Sequence, residues 1–543
     1  MKQHLSFKAF SKALGLLVLS VCWGCPADEP KVFHQVDFPP GFEFGTAIAQ
    51  WQASGDYSPA GPVDSNWSQW AQMGNTHNGT LNPEGNGFYW KYESDVALAK
   101  GLGLKVFRIG VDWSRIEPEA GVYDEAELDH LADVVQSIYD AGMKPVLTLY
   151  HWTVPTWVQN PNPNSDTGAV DLMATTDRAV VDYFEGFVRQ VIPRVKDWVD
   201  TYTVLNEPFS MISAGYIGGV FPPGKYLDFE AGTQFGINLL YMYARAYDVI
   251  KELDDGDADG DGANSFVGLT MTANAFYPEE PGNADEEFAV EQISYVFNDW
   301  IMIALTEGKL DVDLDRRYDN DQTSPPEGTD ETLKGKLEFV GVQYYGPVMV
   351  DDVSWLVETP PLFGLPLLEV DEYNADLPHN GMKREISAAG FRDTLDIYAP
   401  YGVPMIITEN GTTSNGPAQD TDEGQILGEN QEAQAAMFLV EHLWEVGKAI
   451  EDGMDIRGYY QWTLADNFEW VEGHLQRFGA YRVDFEDPDY PRTETQLAGA
   501  LRDVVTEMAV TESIWEKYVL DSYPTDQTET AGPTTSLNPV PTP

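Results

Sequence analysis

Lys105-Val-Phe-Arg-Ile-Gly-Val111, the stretch from Glu125 to Ala141, and Pro145-Val-Leu-Thr-Leu-Tyr150 together decide the fold. The first and last are short, rich in β-formers, and apolar throughout rather than at alternate positions. That pattern suits strands covered on both faces, as in a parallel sheet. Between them Leu128, Leu131, Val135 and Ile138 recur at helical spacing and stop at Gly142, which predicts a helix over 125–141. Six further runs of the same kind follow the pattern: Phe42–Ala49, Thr201–Leu205, Phe266–Ala273, Phe339–Tyr344, Met405–Thr408 and Gly458–Trp462. No Pro/Ser-rich linker long enough to separate domains interrupts Phe38 to Leu520. Strand and helix alternating in this way predict an α/β chain folded as one (β/α)8 TIM barrel over residues 38–520, with elaborated loops at its C-terminal face.

The 543 residues carry 88 acidic against 32 basic side chains, a formal charge of −56, and 43 % are apolar. A chain with that apolar content buries a core, so wholesale disorder is excluded. Phosphate backbones would meet a repelling field, which excludes nucleic acid as a partner and favours neutral ligands. Cys22 and Cys25 are the two cysteines, so residues beyond them hold no disulfide and no thiolate metal site. No HExxH, G-x-S-x-G, Walker loop or G-x-G-x-x-G is present, which removes the usual support for zinc, serine-hydrolase, nucleotide and dinucleotide chemistry.

The first 25 residues read as an export signal: Lys2, Lys8 and Lys12 precede the apolar run Ala13–Val21, too short to span a bilayer. Cys25 follows Gly24 and Cys22 follows Val21, so either reads as the lipidated cysteine of a lipoprotein; ordinary cleavage near Ala27 and an uncleaved apolar start are the competing readings. The implied location is periplasmic, cell-surface or secreted, with membrane attachment through the lipid. Residues 26–37 read as a linker. Residues 521–543, almost without large apolar side chains, read as a disordered tail.

A barrel places its chemistry just past the C-terminal ends of its strands. Those positions hold Gln52, Arg108, His151, Asn206, Glu207, Tyr345, Glu409 and Trp462. Two are carboxylates, in Thr203-Val-Leu-Asn-Glu-Pro208 and Ile406-Ile-Thr-Glu-Asn-Gly411. One protonated and one ionised carboxyl across a mouth lined by Trp and Tyr is what glycosidic-bond cleavage needs. By position alone, a Glu before Pro or before Asn-Gly is more often a solvated turn residue than a catalytic one.

The ordered set of motifs resembles glycoside hydrolase family 1, the β-glucosidase family, and most of all its archaeal-type β-glycosidases. It runs from Phe38-Pro-Pro-Gly-Phe-Glu-Phe-Gly-Thr-Ala47 to Arg477-Phe-Gly-Ala-Tyr-Arg-Val-Asp484. Between these stand Phe107-Arg-Ile-Gly-Val-Asp-Trp-Ser-Arg-Ile116, Tyr150-His-Trp152, Asn206-Glu-Pro208, Phe221-Pro-Pro-Gly224, Thr408-Glu-Asn-Gly411 and Trp462-Thr-Leu-Ala-Asp-Asn-Phe-Glu-Trp470. The resemblance implies a β-glucosidase-type enzyme that retains anomeric configuration, with Glu207 as acid/base, Glu409 as nucleophile, and Arg108 and Tyr345 holding Glu409 ionised. It implies that Asn206 meets the sugar 2-hydroxyl and that Gln52, His151, Trp462, Glu469 and Trp470 bind the sugar. Glu469, Gln476 and Phe478 stand where members acting on 6-phosphorylated sugars carry Ser, Lys and Tyr, so an anion at C6 would meet a carboxylate and no cation.

The expected activity is exo-hydrolysis of small neutral β-glucosides, with galactosides or fucosides as further substrates and no cofactor required. A transglycosidase using the same covalent intermediate and a non-catalytic sugar-binding barrel are the alternatives. Two positions depart from the family: Gln343-Tyr-Tyr345 replaces Asn-Tyr-Tyr, and Gln52-Ala-Ser-Gly55 lacks the acid of Gln-x-Glu-Gly. Separately, Asp255, Asp257, Asp259 and Asp261 follow the first half of an EF-hand loop, although Phe266 stands where the closing Glu would be. They read either as a structural calcium site or as a solvated acidic turn.

Overall fold

The eight apolar runs become eight parallel strands that close on themselves. The computed structural model describes residues 33–353, 368–371, 380–382, 384–414 and 431–520. The strands are β1 (Glu43–Ala47), β2 (Val106–Gly110), β3 (Lys144–Tyr150) and β4 (Thr201–Asn206), followed by β5 (Phe266–Thr272), β6 (Phe339–Tyr344), β7 (Met405–Asn410) and β8 (Ile456–Trp462). Each pairs with its successor, and β8 returns to β1 with Trp462 opposite Ala47. Closure leaves no barrel strand with an unpaired edge. The connecting helices are α1 (Phe88–Gly101), α2 (Glu125–Asp140), α3 (Ala179–Val195), α4 (Phe229–Leu253), α5 (Trp300–Glu307), α6 (Ala388–Tyr398), α7 (Gln431–Glu451) and α8 (Gln496–Glu507).

Helix α2 shows how local sequence sets these elements. Asp124 accepts the N–H groups of Ala126 and Glu127 at its start, Leu128, Leu131, Val135 and Ile138 are buried, and Gly142 turns the chain out at φ 78°. An acceptor at the first turn and a glycine just past the last are ordinary helix boundaries.

Polar groups occupy the barrel interior under the mouth. Thr148, Thr203, Thr270 and Thr408 are all buried there, and Thr148 and Thr203 share a hydrogen bond at 2.7 Å. Gly341 on β6 makes room for this layer, since a Cβ there would lie 2.6 Å from Thr408 Oγ1 and 2.7 Å from Thr270 Cγ2.

Three boundaries differ from the sequence reading. The compact body starts at Gln35 and not Phe38. The residues read as the end of a linker form a strand, because Val36 is fully buried and Val36–Asp37 pairs antiparallel with Ala509–Val510. Strand β7 runs on to Asn410, so Glu409, like Arg108 on β2, lies within a strand and not beyond one. A small sheet outside the barrel, Leu368–Asp371 with Val348–Asp352 and Phe276–Pro278, has no counterpart among the predicted elements. It packs through Phe276, Val348 and Val350 onto Ala289, Val290 and Ile293.

The export signal with Cys22 and Cys25, the tail 521–543 and most of loop 353–380 lie outside the described residues. Among the described residues, no helix is long and apolar enough to cross a membrane.

Candidate active site

Glu207 follows β4 directly, in the left-handed region at φ 43°, and Pro208 then opens a short helix. Its N–H donates to the Thr270 carbonyl at 2.9 Å, which ties this turn to β5. Ser210, one helical turn on, donates to Glu207 Oε2 at 2.8 Å and shares a hydrogen bond with Thr272. Glu207 is buried. Desolvation first, and the charge of Glu409 second, push its carboxyl up to about 7.

Glu409 meets a different environment. Arg108 Nη1 donates to its Oε1 at 2.5 Å, and Tyr345 Oη donates to Oε2 at 2.7 Å. Burial raises this carboxyl too, opposed by the charge of Arg108 and by hydrogen bonds from Tyr345, Arg108 and Gln343. Of the two glutamates, Glu409 alone has a buried guanidinium in contact. The shared negative charge therefore rests on Glu409 and the proton on Glu207.

Arg108 is fully buried and rigidly held: Nε donates to Thr148 Oγ1 at 2.9 Å and Nη2 to Asn206 Oδ1 at 2.6 Å. Asn206 Oδ1 also accepts from Thr270 Oγ1 at 2.8 Å and Gln343 Nε2 at 2.9 Å. With its oxygen fixed by these donors, Asn206 presents its NH2 to His151 Nε2 at 3.1 Å. That nitrogen of His151 must accept, which leaves the proton on Nδ1, a buried atom with no protein partner. Burial and Arg108 keep the ring neutral, well below its usual pKa. A neutral histidine with a spare buried N–H can donate to a ligand's oxygen.

The remaining predicted residues converge here as well. Gln52 donates to the Phe468 carbonyl at 3.0 Å and Glu469 Oε2 at 3.2 Å, and its own Oε1 is buried and unpartnered. Burial, then the charge of Glu409, push Glu469 up to about 8. Trp470 stacks on Trp51 at 5.8 Å between ring centroids and lies 4.6 Å from Trp152. Trp462 is 6.2 Å from His151, and Phe478 meets Tyr345 edge-on at 6.0 Å. Aromatic faces beside unpaired polar atoms suit a ligand with apolar C–H faces and hydroxyl edges.

Sequence reasoning missed two contributors. Ser210 sits three residues after Glu207 on a helical turn, a spacing that was legible. Arg384 was not: it stands 5.7 Å over the Tyr345 ring, and its charge acts on both Glu207 and Glu469. Gln476 and Phe478 themselves bring no cation to Glu469, while Arg384 acts on it electrostatically from another segment. Asn380 Nδ2 donates to Thr412 Oγ1 at 3.1 Å and the Gly381 N–H to Thr413 Oγ1 at 3.0 Å, which ties that segment to the chain just beyond β7.

The four aspartates expected as an EF-hand set do not assemble. Asp255 pairs with Lys196, and Asp261 accepts the Ala263 N–H at 2.7 Å. Asp257 and Asp259 lie instead with Asp200, on the opposite rim of the barrel from the glutamates.

Comparison with known proteins agrees with this geometry. Residues 34–509 match the family described as glycosyl hydrolase family 1. The β-galactosidase of Saccharolobus solfataricus is 26 % identical over 516 residues, spanning 88 % of this chain and 96 % of that one. β-Glucosidase 16 of Arabidopsis thaliana is 28 % identical over 506 residues, spanning 88 % and 93 %. The structure of a β-glucosidase from Thermotoga maritima in complex with deoxynojirimycin, 25 % identical, superposes with a TM-score of 0.70 over 87 % of this chain and 99 % of that one. Two buried glutamates at the mouth of a closed eight-stranded barrel and a match along nearly the whole body lead to one conclusion: the chain is a glycoside hydrolase of β-glycosides and belongs to glycosyl hydrolase family 1.

Proposed function

We propose that the protein is a retaining exo-β-glycosidase acting on small neutral β-glucosides, and on the corresponding galactosides or fucosides. The observation that carries this reading is the asymmetry of the two glutamates: Arg108 contacts Glu409 and leaves Glu207 to its desolvated surroundings. Glu207 protonates the departing oxygen while Glu409 Oε attacks the anomeric carbon, forming a glycosyl ester. Once esterified, Glu409 is neutral, and the repulsion that raised Glu207 is gone. Glu207 then takes a proton from water, which attacks the same carbon and releases Glu409. Two inversions retain the configuration. Asn206, held by Arg108, Thr270 and Gln343, keeps its NH2 oriented toward the sugar 2-hydroxyl, where a hydrogen bond strengthens as charge develops. His151 Nδ1 and Gln52 Oε1 are the donor and acceptor available to further hydroxyls.

Hydrolysis of nitrophenyl β-glucoside followed by NMR tests the reading, with the β-anomer of glucose expected as first product. Glu409→Ala should lose roughly 10⁴-fold or more in kcat, with azide restoring turnover through an α-glycosyl azide. An α-anomer appearing first, or equal and unrescued losses in Glu207→Ala and Glu409→Ala, would reject it. The β-galactoside and β-fucoside run beside it rank the sugars.

A further inference from the structure

We propose that Asp56 is a positioning residue for the sugar site: it fixes the Trp51 indole and, through that ring, Trp470 and the Phe468–Glu469 turn. The inference rests on the reading of Gln52, Glu469 and Trp470 as sugar-binding residues. Gln52-Ala-Ser-Gly55 carries no acid, and the first carboxyl after Gln52 in the chain is that of Asp56. The fold returns it to the short helix Gln50–Ser54, where Trp51 Nε1 donates to Asp56 Oδ1 at 2.8 Å. The main chain leaves Asp56 little freedom. Arg115 donates to the carbonyls of Gly55 and Tyr57 on either side of it. The Asp56 N–H donates to the Asn82 carbonyl at 2.9 Å, and the Asp56 carbonyl accepts the Val63 N–H at 2.8 Å. Gly55 turns at φ 58°, where a Cβ would overlap the Asn82 carbonyl. Asn82 Nδ2 closes the turn by donating to the Trp51 carbonyl at 2.7 Å. An acceptor held by such a network restricts its donor to one orientation.

The rings carry that orientation to the sugar-binding residues. Trp51 is buried, meets Phe468 edge-on at 5.4 Å between ring centroids, and stacks on Trp470 at 5.8 Å with 15° between the planes. Phe468 precedes Glu469 in the chain. Its carbonyl accepts Gln52 Nε2 at 3.0 Å, and its N–H donates to the Gln52 carbonyl at 3.2 Å. Trp470 has φ 47°, a left-handed conformation that costs free energy and lasts only where the surroundings hold it. Trp67 at 4.4 Å and Trp152 at 4.6 Å also meet the Trp470 ring. Two of these three neighbouring indoles are oriented by a hydrogen bond: Trp152 Nε1 donates to the Asn206 carbonyl at 2.9 Å, and Trp51 Nε1 donates to Asp56. Trp67 Nε1 is buried without an acceptor. Asp56 thus anchors the ring that ties Trp470 to Phe468 and, through the paired main chains, to Gln52.

Steady-state kinetics on the full chain test this. Asp56→Ala should raise KM for nitrophenyl β-glucoside and the inhibition constant for glucose together, each roughly 10-fold, with kcat changed less than about 3-fold. Asp56→Asn keeps a carbonyl oxygen to accept the indole N–H and should restore most of the affinity. Trp51→Phe keeps an aromatic face without the N–H and should raise both constants as Asp56→Ala does, which carries the test if Asp56→Ala fails to fold. The double variant should be no more than about 2-fold worse than the poorer single one. Unchanged constants in a folded Asp56→Ala or in Trp51→Phe, even with a lowered Tm, overturn the proposal, as do losses that multiply in the double variant. An unaltered chain that neither cleaves the glucoside nor is inhibited by glucose rejects instead the glycosidase reading on which the proposal rests.

Discussion

Ser210 Oγ donates to Glu207 Oε2 at 2.8 Å from one helical turn beyond it. A carboxyl oxygen that accepts a hydroxyl is the poorer place for a proton, so the bond leaves Oε1 to carry the acid hydrogen. The Ser210 hydroxyl in turn is held by Thr272. Ser210→Ala should therefore impair acid catalysis more than nucleophilic attack. With alkyl or disaccharide glucosides, which need their leaving group protonated, kcat should fall roughly 10-fold. With dinitrophenyl glucoside it should change less than about 3-fold. Ser210→Thr should restore the difference. Steady-state kinetics over a leaving-group series decides, and a uniform loss across the series would count against the assignment.

The Arg384 guanidinium lowers the pKa of Glu207, against the larger upward push of burial and Glu409. With Glu207 as the proposed acid, kcat/KM should fall as pH rises through about 7, the value to which that carboxyl is raised. Removing a nearby cation favours the protonated form. Arg384→Met should accordingly carry activity to higher pH, and Arg384→Lys should leave the limb in place. A pH profile measured under subsaturating substrate reads this directly; a limb moving downward in the Met variant would remove Arg384 from the site's electrostatics.

The barrel was legible because its strands are buried on both faces and so carry an unbroken apolar signal, as in Pro145–Tyr150. Glu207 and Glu409 were legible once the motifs around them were placed in order, since a strand end dictates where a side chain points. Gln343 shows where legibility stops. A lengthened amide was visible, but the register shift between Val342 and Gln343 and the bond from Gln343 Nε2 to Asn206 Oδ1 belong to the paired strands. Arg384 and Asp200 act on residues far away in the chain, and no local period announces such a meeting. The Val36–Asp37 strand was lost for the same reason, since its partner stands at Ala509–Val510.

Five acids whose carboxyls are raised mainly by desolvation make the protein's stability depend on pH. Burial raises Asp56, Glu207, Glu385 and Glu445 to about 7 and Glu469 to about 8. In the unfolded chain these groups titrate near 4. Between those limits the folded state holds more protons, so stability is fully present below about pH 4 and is lost as pH rises through 7 to 8. Tm should fall by roughly 5 °C or more between pH 5 and pH 8. High salt screens the repulsion among exposed charges of a −56 chain but does not reach buried groups. Scans in 0.1 and 1 M NaCl should therefore keep the slope while raising every Tm. A Tm that climbs toward pH 8 would mean the buried carboxyls are ionised in the fold.

Arg108 bridges the proposed nucleophile and the proposed reader of the 2-hydroxyl, with Nη1 on Glu409 and Nη2 on Asn206. Its two arms make separable predictions. Arg108→Met keeps the volume of the stem but leaves Glu409 buried without a counter-charge, which raises its pKa and empties the nucleophilic form. The acidic limb of the pH profile should move upward, and kcat/KM should drop roughly 10³-fold or more. Arg108→Lys keeps one positive charge near Glu409 and loses the fork that also reaches Asn206. Its acidic limb should stay near that of the unaltered enzyme while kcat still falls, and the fall should be smaller for 2-deoxyglucosides, which offer Asn206 no hydroxyl to hold. Equal losses for glucoside and 2-deoxyglucoside in the Lys variant would show that the second arm positions nothing in the transition state.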